Sequence, residues 1–212
     1  CATGGGAGHY DTYNEEWAIY TERNAPMHEP WTYSVCAGDN KVWIAAWGGG
    51  VIEWQKENQT FRDYVDPDGE MEIDLLPDDG VVHDITTAVS YANGMLWVAT
   101  YFGMSRYDGN HWKGYFDHDS GLASNFINFI KANGDVAFIC TDEGLSSFNG
   151  EEWITYKKNG SGGQRVYYKD GQTSTKADPT SIAHEFTIGV DIQGDDIWVA
   201  TSYGLSHGTR IN

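Results

Sequence analysis

An all-β fold, a four-bladed β-propeller of four-stranded antiparallel blades, is what this sequence predicts, on three observations. One phrase recurs four times: VWIAAWGGG at Val42 to Gly50, LWVATYFGM at Leu96 to Met104, AFICTDEGL at Ala137 to Leu145, and IWVATSYGL at Ile197 to Leu205. Self-similarity at a period of roughly 40 to 60 residues means stacked copies of one supersecondary unit. Each copy also sits between the same neighbours, and the 26 glycines fall at turns between short strand-like runs.

The elements follow in order. Before each phrase comes a strand-like run closed by a Gly turn: YSVCAGDN from Tyr33, AVSYANG from Ala88, FIKANGD from Phe129 and GVDIQGDD from Gly189. Asn-Gly and Gly-Asp pairs supply the positive backbone dihedrals of tight hairpins, so each run pairs antiparallel with the phrase that follows. After the phrase a Gly reverses the chain into a third strand, as at Ser105 to Tyr107 and Ser146 to Phe148. A fourth strand carries an aromatic, two spacers and Tyr: Phe61 with Tyr64, Trp112 with Tyr115, Trp153 with Tyr156. Its last copy is found at the other end of the chain, where Trp17 and Tyr20 in NEEWAIY match EEWITY at Glu151 to Tyr156. This predicts that the N-terminal strand completes the last blade and closes the ring, which leaves only short, protected edges.

The strands are apolar on both faces, as in Trp97-Val98-Ala99, because each blade lies between two others. Trp43, Trp97, Phe138 and Trp198 are therefore expected in the packing between blades. Residues 1–12 read as a flexible tether and 13–212 as one domain, with insertions at about 65–80 and 157–180. No stretch approaches the ~20 consecutive apolar residues of a membrane-spanning helix.

The phrase carries an aromatic, a β-branched residue, a small residue and Thr, then a short Gly loop, an apolar residue and a Tyr. In Tyr101 to Tyr107 and in the inter-blade segment Gly121-Leu122-Ala123-Ser124-Asn125 this pattern resembles the two-component regulator propeller repeat; Leu76-Pro77-Asp78-Asp79 departs from it. The resemblance covers most of the chain outside residues 1–8 and the two insertions. It implies an extracytoplasmic location, in the periplasm or on the outer surface, and binding of a partner or glycan. Members of that family carry more blades and a downstream relay domain, so signal relay itself is not implied. No Trp-Asp dipeptide of the WD40 kind marks these blades.

Residue 1 is Cys, and the ATGGGAG that follows it has the composition of a tether. The expectation is a lipoprotein cleaved from its signal peptide, with the lipid on Cys1 as the one attachment to a membrane. Cys36 and Cys140 fall on predicted strands of opposite blades and are expected as small buried hydrophobes. Three cysteines without a Cys-x-x-Cys spacing indicate neither a zinc site nor haem, and no cofactor is expected apart from calcium.

A formal charge of −18 opposes nucleic acid as a partner. From Asp63 to Asp84 there are nine carboxylates and no Lys or Arg. Within that run Asp66, Asp68, Glu70, Glu72 and Asp74 alternate with uncharged residues, so an extended backbone would align all five on one face. Calcium, a basic protein surface and plain solvation remain open readings, although the spacing fails the EF-hand loop. The second insertion has the opposite sign, with Lys157, Lys158, Arg165 and Lys169, and reads as a hairpin turning at Asp170-Gly171. An acidic and a basic projection on one face of the disc imply docking of a protein partner or self-association.

Propellers bind small ligands at the mouth of the central channel. Here the loops between second and third strands bring Trp47, Tyr101, Phe102, Asp142, Glu143 and Tyr203. Aromatic faces beside carboxylates fit either a sugar platform or a plug of the channel. His184-Glu185 with His207, and the pair Asp142-Glu143, invite comparison with lyases and glycosidases. No nucleophile motif, phosphate loop or metal-spaced His cluster accompanies them. The sequence thus predicts a non-catalytic propeller lipoprotein that holds a protein partner as a scaffold subunit, with oligosaccharide binding as the alternative.

Overall fold

The computed structural model describes residues 1–66 and 80–209. Its described strands form five antiparallel sheets with no helix among them. The first sheet holds β1 (Ala2–Thr3), β2 (Gly6–Asp11) and β3 (Glu16–Tyr20). The second is a meander of β4 (Thr32–Gly38), β5 (Lys41–Ala46), β6 (Gly50–Gln55) and β7 (Thr60–Tyr64). The third repeats it as β8 (Thr86–Ala92), β9 (Met95–Thr100), β10 (Gly103–Tyr107) and β11 (Trp112–Tyr115). The fourth runs β12 (Ile127–Asn133), β13 (Val136–Thr141), β14 (Gly144–Phe148) and β15 (Trp153–Asn159), then adds β16 (Gly162–Lys169) and β17 (Gln172–Asp178). The fifth holds β18 (Thr187–Gln193), β19 (Asp196–Thr201) and β20 (Gly204–Thr209). Strands β4, β8, β12 and β18 are neighbours across the sheets, so the sheets radiate as propeller blades do.

Two repeated contacts hold sheet to sheet. The Tyr that ends each outer strand wedges against an aromatic pair of the next sheet: Tyr20 on Trp54 and Phe61 at 5.6 and 5.4 Å, Tyr64 on Tyr107 and Trp112 at 5.4 and 5.2 Å, and Tyr115 on Phe148 and Trp153 at 5.1 and 5.6 Å. Tilted and edge-on approaches of this kind suit the aromatic quadrupole. Nearer the axis, a Thr at the start of a first strand places its hydroxyl between two carbonyls of the preceding loop. Thr86 reaches Ala46 O at 2.8 Å and Gly50 O at 2.7 Å, Thr187 reaches Thr141 O and Gly144 O at 2.9 and 3.0 Å, and Thr32 reaches Thr3 O and Gly6 O at 3.0 and 2.8 Å.

Four expectations are corrected. The strand carrying Trp17 and Tyr20 does not complete the last sheet; it pairs with β2, while β20 pairs with β19 and with no other described strand. The reason is local, because a hairpin partner a few residues away costs far less closure entropy than one at the far end of the chain. Residues 1–12 are accordingly not a tether, since β1 and β2 occupy most of them and Gly6, Ala7 and Gly8 are buried. Gly6 is required there: at φ 114° a Cβ would stand 2.1 Å from the Tyr20 carbonyl oxygen. The sheets number five, of three, four, four, six and three strands, in place of four equal blades. Trp198 also leaves the pattern, at 41% exposure against 3% for Trp43, 2% for Trp97 and 4% for Phe138, because no sheet among the described residues covers its face.

One charge is buried in this packing. Glu53 on β6 takes hydrogen bonds from Trp43 Nε1 at 3.2 Å, Tyr64 Oη at 3.0 Å and Gln55 at 3.0 Å, and pairs with Lys41 Nζ at 2.9 Å. Burial pushes its carboxyl up, but the bonds from Lys41 and Gln55 and the charge of Lys41 outweigh this and hold it below the ordinary value.

Two predictions follow from these contacts. Tyr115→Ala is expected to cost about 3 kcal/mol in urea melts, and Tyr156→Ala less than half of that, because Tyr156 meets no aromatic pair of a following sheet. A carboxyl with a depressed folded pKa stabilises above the unfolded value and loses that contribution as the pH falls through the folded one. Thermal melts of Glu53→Gln should therefore run below wild type at pH 7 and converge with it in acid.

Candidate functional site

The loops between second and third strands line one end of the axis, and the backbone fixes their height. The first residue of each donates its N–H to the carbonyl just ahead of or at the start of a first strand: Trp47 to Trp31 at 2.8 Å, Tyr101 to Ile85 at 2.9 Å, Asp142 to Phe126 at 3.3 Å and Ser202 to Phe186 at 2.9 Å. Thr at the end of the second strand closes the same loops onto a Gly: Thr100 Oγ1 to Gly103 O at 2.8 Å, Thr141 to Gly144 at 2.9 Å, and Thr201 to Gly204 at 2.8 Å. Side chains on these loops are thus held from two directions.

On that frame stands a continuous chain of rings. Tyr33 lies 5.1 Å from Trp47, Trp47 lies 5.6 Å from Tyr101, and Tyr101 lies 5.0 Å from Phe126 and 5.6 Å from Phe102. Phe126 and Phe102 are 5.9 Å apart, and the His83 imidazole closes the row at 4.5 Å from Phe102. Burial holds the His83 ring below the ordinary imidazole pKa, against the pull of Asp84, so it enters the row as a neutral ring. Tyr33, Tyr101 and Phe126 are exposed large aromatics, as are Trp31 and Phe186, whose carbonyls anchor the loops. An exposed contiguous apolar surface of this kind is a candidate binding surface.

Trp47, Tyr101 and Phe102 are brought together as the sequence analysis expects. Tyr203 is exposed and makes no ring contact among the described residues. Asp142 sits beside Phe126 through its backbone bond, and its Oδ1 is buried with no hydrogen-bond partner. Glu143 pairs with Lys157 Nζ at 3.6 Å. Tyr33, Phe126, His83, Trp31 and Phe186 are additions. A signal was present for three of them, since Trp31, Phe126 and Phe186 stand at one place in three of the four repeats, just ahead of the first strand, where the other repeat has Ile85.

The basic insertion is a hairpin turning at Asp170 and Gly171, with φ of 50° and 75°. It continues the fourth sheet as its fifth and sixth strands. Arg165 and Lys169 are matched at home and Lys158 meets a backbone carbonyl: Arg165 Nε meets Asp178 Oδ2 at 2.5 Å, Lys169 Nζ meets Glu151 Oε2 at 3.5 Å, and Lys158 Nζ donates to Ala183 O at 3.3 Å. Of the acidic face, Asp66 is described; it is buried and its N–H donates to Asp84 Oδ1 at 2.7 Å. Asp68, Glu70, Glu72 and Asp74 lie outside the described residues. Among the described residues no three His, Cys, Asp or Glu side chains are grouped as metal ligands would be.

Burial pushes the Cys36 and Cys140 thiols up to about 12, which keeps both protonated and unreactive at neutral pH. Cys1 is exposed at the edge of the first sheet. His184 Nδ1 accepts the Phe186 N–H at 3.0 Å and contacts Ser202 Oγ at 3.0 Å, so it caps a loop. His207 bonds Asp196 at 2.7 Å and stacks on Trp198 at 4.3 Å.

No family model and no curated protein matches the chain. Solved structures do. The extracellular domain of BT3049, described as a hybrid two component system of B. thetaiotaomicron, superposes with a TM-score of 0.57 at 15% identity, over 98% of this chain and 31% of that one. The corresponding domain of BT4673 from the same organism gives 0.50 at 13% identity, over 100% of this chain and 36% of that one. The computationally designed protein Ika4 gives 0.54 at 9% identity, over 88% of this chain and 95% of that one. The chain spans about a third of the two extracellular domains, and the likeness is one of fold. Its neighbours include extracellular domains of the kind of system whose propeller repeat the sequence phrase resembles.

Proposed function

We propose that this protein is a non-catalytic, extracytoplasmic binding domain that holds a protein partner on the aromatic row formed at its loops between second and third strands. The observation that carries the reading is the contiguity of Tyr33, Trp47, Tyr101, Phe126 and Phe102 in one strip, with Tyr33, Tyr101 and Phe126 exposed and the loops pinned by backbone bonds. Trp and Tyr are the residues that dominate binding energy where a partner buries them, because each offers large area at low rotamer cost. Pinned loops lower the ordering cost further.

Extracytoplasmic placement is supported by the repeat phrase and by the extracellular domains that share the fold. A role as a scaffold subunit goes with the partner reading. The proposal does not depend on an anchor at Cys1, nor on calcium at the acidic segment. The basic hairpin is a weaker docking surface than its composition implies, because Lys157, Arg165 and Lys169 already face Glu143, Asp178 and Glu151.

Oligosaccharide is the second reading, and one feature favours it: Asp142, whose N–H donates to Phe126 O and whose buried Oδ1 has no hydrogen-bond partner among the described residues, stands in a loop beside the row, and movement of that carboxylate would offer an acceptor to a sugar hydroxyl. The two are separable. Affinity capture from envelope proteins of the source cell should retain one protein on wild type and lose it on the Trp47→Ala/Tyr101→Ala double variant. Equal recovery on both removes the partner reading. Chemical-shift changes at Tyr101 and Phe126 with added oligosaccharides, abolished by Asp142→Asn, would move the assignment to the glycan.

A further inference from the structure

One row of side chains recurs in the second and third sheets with the charge at its centre reversed. In the second sheet the row runs Trp43, Glu53, Arg62 across β5, β6 and β7; in the third it runs Trp97, Arg106, Lys113 across β9, β10 and β11. The outer cations behave alike, with Arg62 4.8 Å from the Tyr64 ring centre and Lys113 5.1 Å from that of Tyr115. The central residues do not. Glu53 accepts the Trp43 Nε1–H at 3.2 Å and stands directly opposite Arg62, whereas Arg106 stands directly opposite Lys113. Like charges so placed on one face of a sheet are destabilising.

No described carboxylate relieves that repulsion. The side chains of Arg106 and Lys113 make no hydrogen bond or ion pair with a described residue; Arg106 lies 5.1 Å from the Trp97 ring centre and Lys113 over Tyr115. The His111 and Asn110 N–H groups hold the Asp108 carboxyl below its ordinary value, with the charge of Arg106 a lesser cause, and its Oδ1 is taken by those two groups. Trp97 Nε1 and Arg106 Nε are both buried with no hydrogen-bond partner among the described residues. Glu53 spares Trp43 the same fate. A cleft of about 530 Å³ opens beside the cation pair, between the third and fourth sheets. Lys113 and Gly150 line it together with the rings of Tyr115, Phe148, Trp153 and Tyr168. The Arg106 guanidinium reaches its edge, since a Cβ on Gly150 would stand 3.5 and 3.9 Å from the two terminal nitrogens.

We propose that this cleft binds a small aromatic carboxylic acid, with its carboxylate on Arg106 and Lys113 and its ring against Tyr115 and Tyr168. The ligand's carboxylate does for the third sheet what Glu53 does for the second. Guanidinium and carboxylate meet in a bidentate, charge-assisted pair, first through the terminal nitrogens, and a turn of the guanidinium brings in Nε. The overall charge of −18 gives an anion no help at long range, so the attraction comes from the cation pair itself. A small molecule is the occupant that a cleft of this volume fits. The site uses no residue of the aromatic row and is independent of the reading built on it.

The probe is phenylacetate, with neutral phenylacetamide as its control, titrated into the isotope-labelled full chain and followed by NMR. Because Arg106 lies over the Trp97 ring, the Trp97 indole N–H and the Arg106 Nε–H resonances should both shift and saturate with phenylacetate, and neither should do so with phenylacetamide. Arg106→Gln and Lys113→Gln should each weaken binding by about tenfold or more. Lys113 is exposed, so its variant keeps the test open if Arg106→Gln fails to fold. Trp47→Ala/Tyr101→Ala should bind phenylacetate as wild type does. Arg106→Glu rebuilds beside Trp97 the arrangement of Trp43 with Glu53, so it should abolish binding and melt above wild type. The proposal is overturned by shifts that do not saturate, by equal shifts with phenylacetamide, by unchanged affinity in Lys113→Gln, or by Arg106→Glu melting below wild type.

Discussion

Everything in this molecule depends on how one sheet grips the next. Within a sheet the strands are held by ladder hydrogen bonds, but a sheet of three or four short strands is marginal unless its faces are covered. The cover comes from side chains, and the wedge of Tyr20, Tyr64 and Tyr115 into successive aromatic pairs is its most regular part. Near the axis, the hydroxyls of Thr32, Thr86 and Thr187 add a polar counterpart by meeting loop carbonyls of the preceding sheet. The two contacts sit at opposite ends of the blade, outer rim and inner axis, and together they fix the angle between neighbours. An aromatic wedge alone would leave the inner strands free to splay.

Much of this was legible in the sequence because a repeat reports each contact several times. The meander of four strands, the positions of the hairpin turns and the burial of Trp43, Trp97 and Phe138 are all read from the spacing of the phrase. What misled was the outer strand at Trp17. An aromatic with a Tyr three residues on identifies an outer strand, yet says nothing of which third strand it joins. The deciding signal was smaller: Thr3-x-x-Gly6 has the spacing of Thr100 with Gly103, Thr141 with Gly144 and Thr201 with Gly204, and Thr3 Oγ1 meets Gly6 O at 2.7 Å just as they do. Those residues are a repeat of their own, hidden under a composition that reads as a linker. Gly6 serves close backbone approach to Tyr20, not flexibility.

The site was legible to a different depth. Trp47, Tyr101 and Phe102 lie within the phrase and are found with it, whereas Tyr33 lies in one first strand and Phe126 just ahead of another. Only the pairing of each loop N–H with the carbonyl ahead of or at the start of a first strand brings the two sets level. Charge was the less dependable guide. Lys157, Arg165 and Lys169 read as a basic projection, but long cationic side chains on adjacent strands and loops find the nearest carboxylates, and a local excess in the sequence becomes matched pairs in space. Such exposed pairs contribute little stability. Their consequence is to leave the hairpin electrostatically quieter than its composition.

That contrast bears on which surfaces of the molecule are built for contact. A side chain that matters to its own fold is buried or paired, as Trp97 and Glu53 are. The aromatic row satisfies neither condition fully, because Tyr33, Tyr101 and Phe126 touch one another and also remain open to solvent. Loops with no external role would be expected to end in polar residues, as the Ser202 loop begins, since exposed rings confer no stability and invite association. The rings do not collapse onto the core because their backbone is tied to the strand starts below them. Holding apolar groups in water costs free energy that a bound surface can return, and rigid loops ensure that little of the return is spent on ordering. The same constraint that stacks the sheets therefore also presents the site.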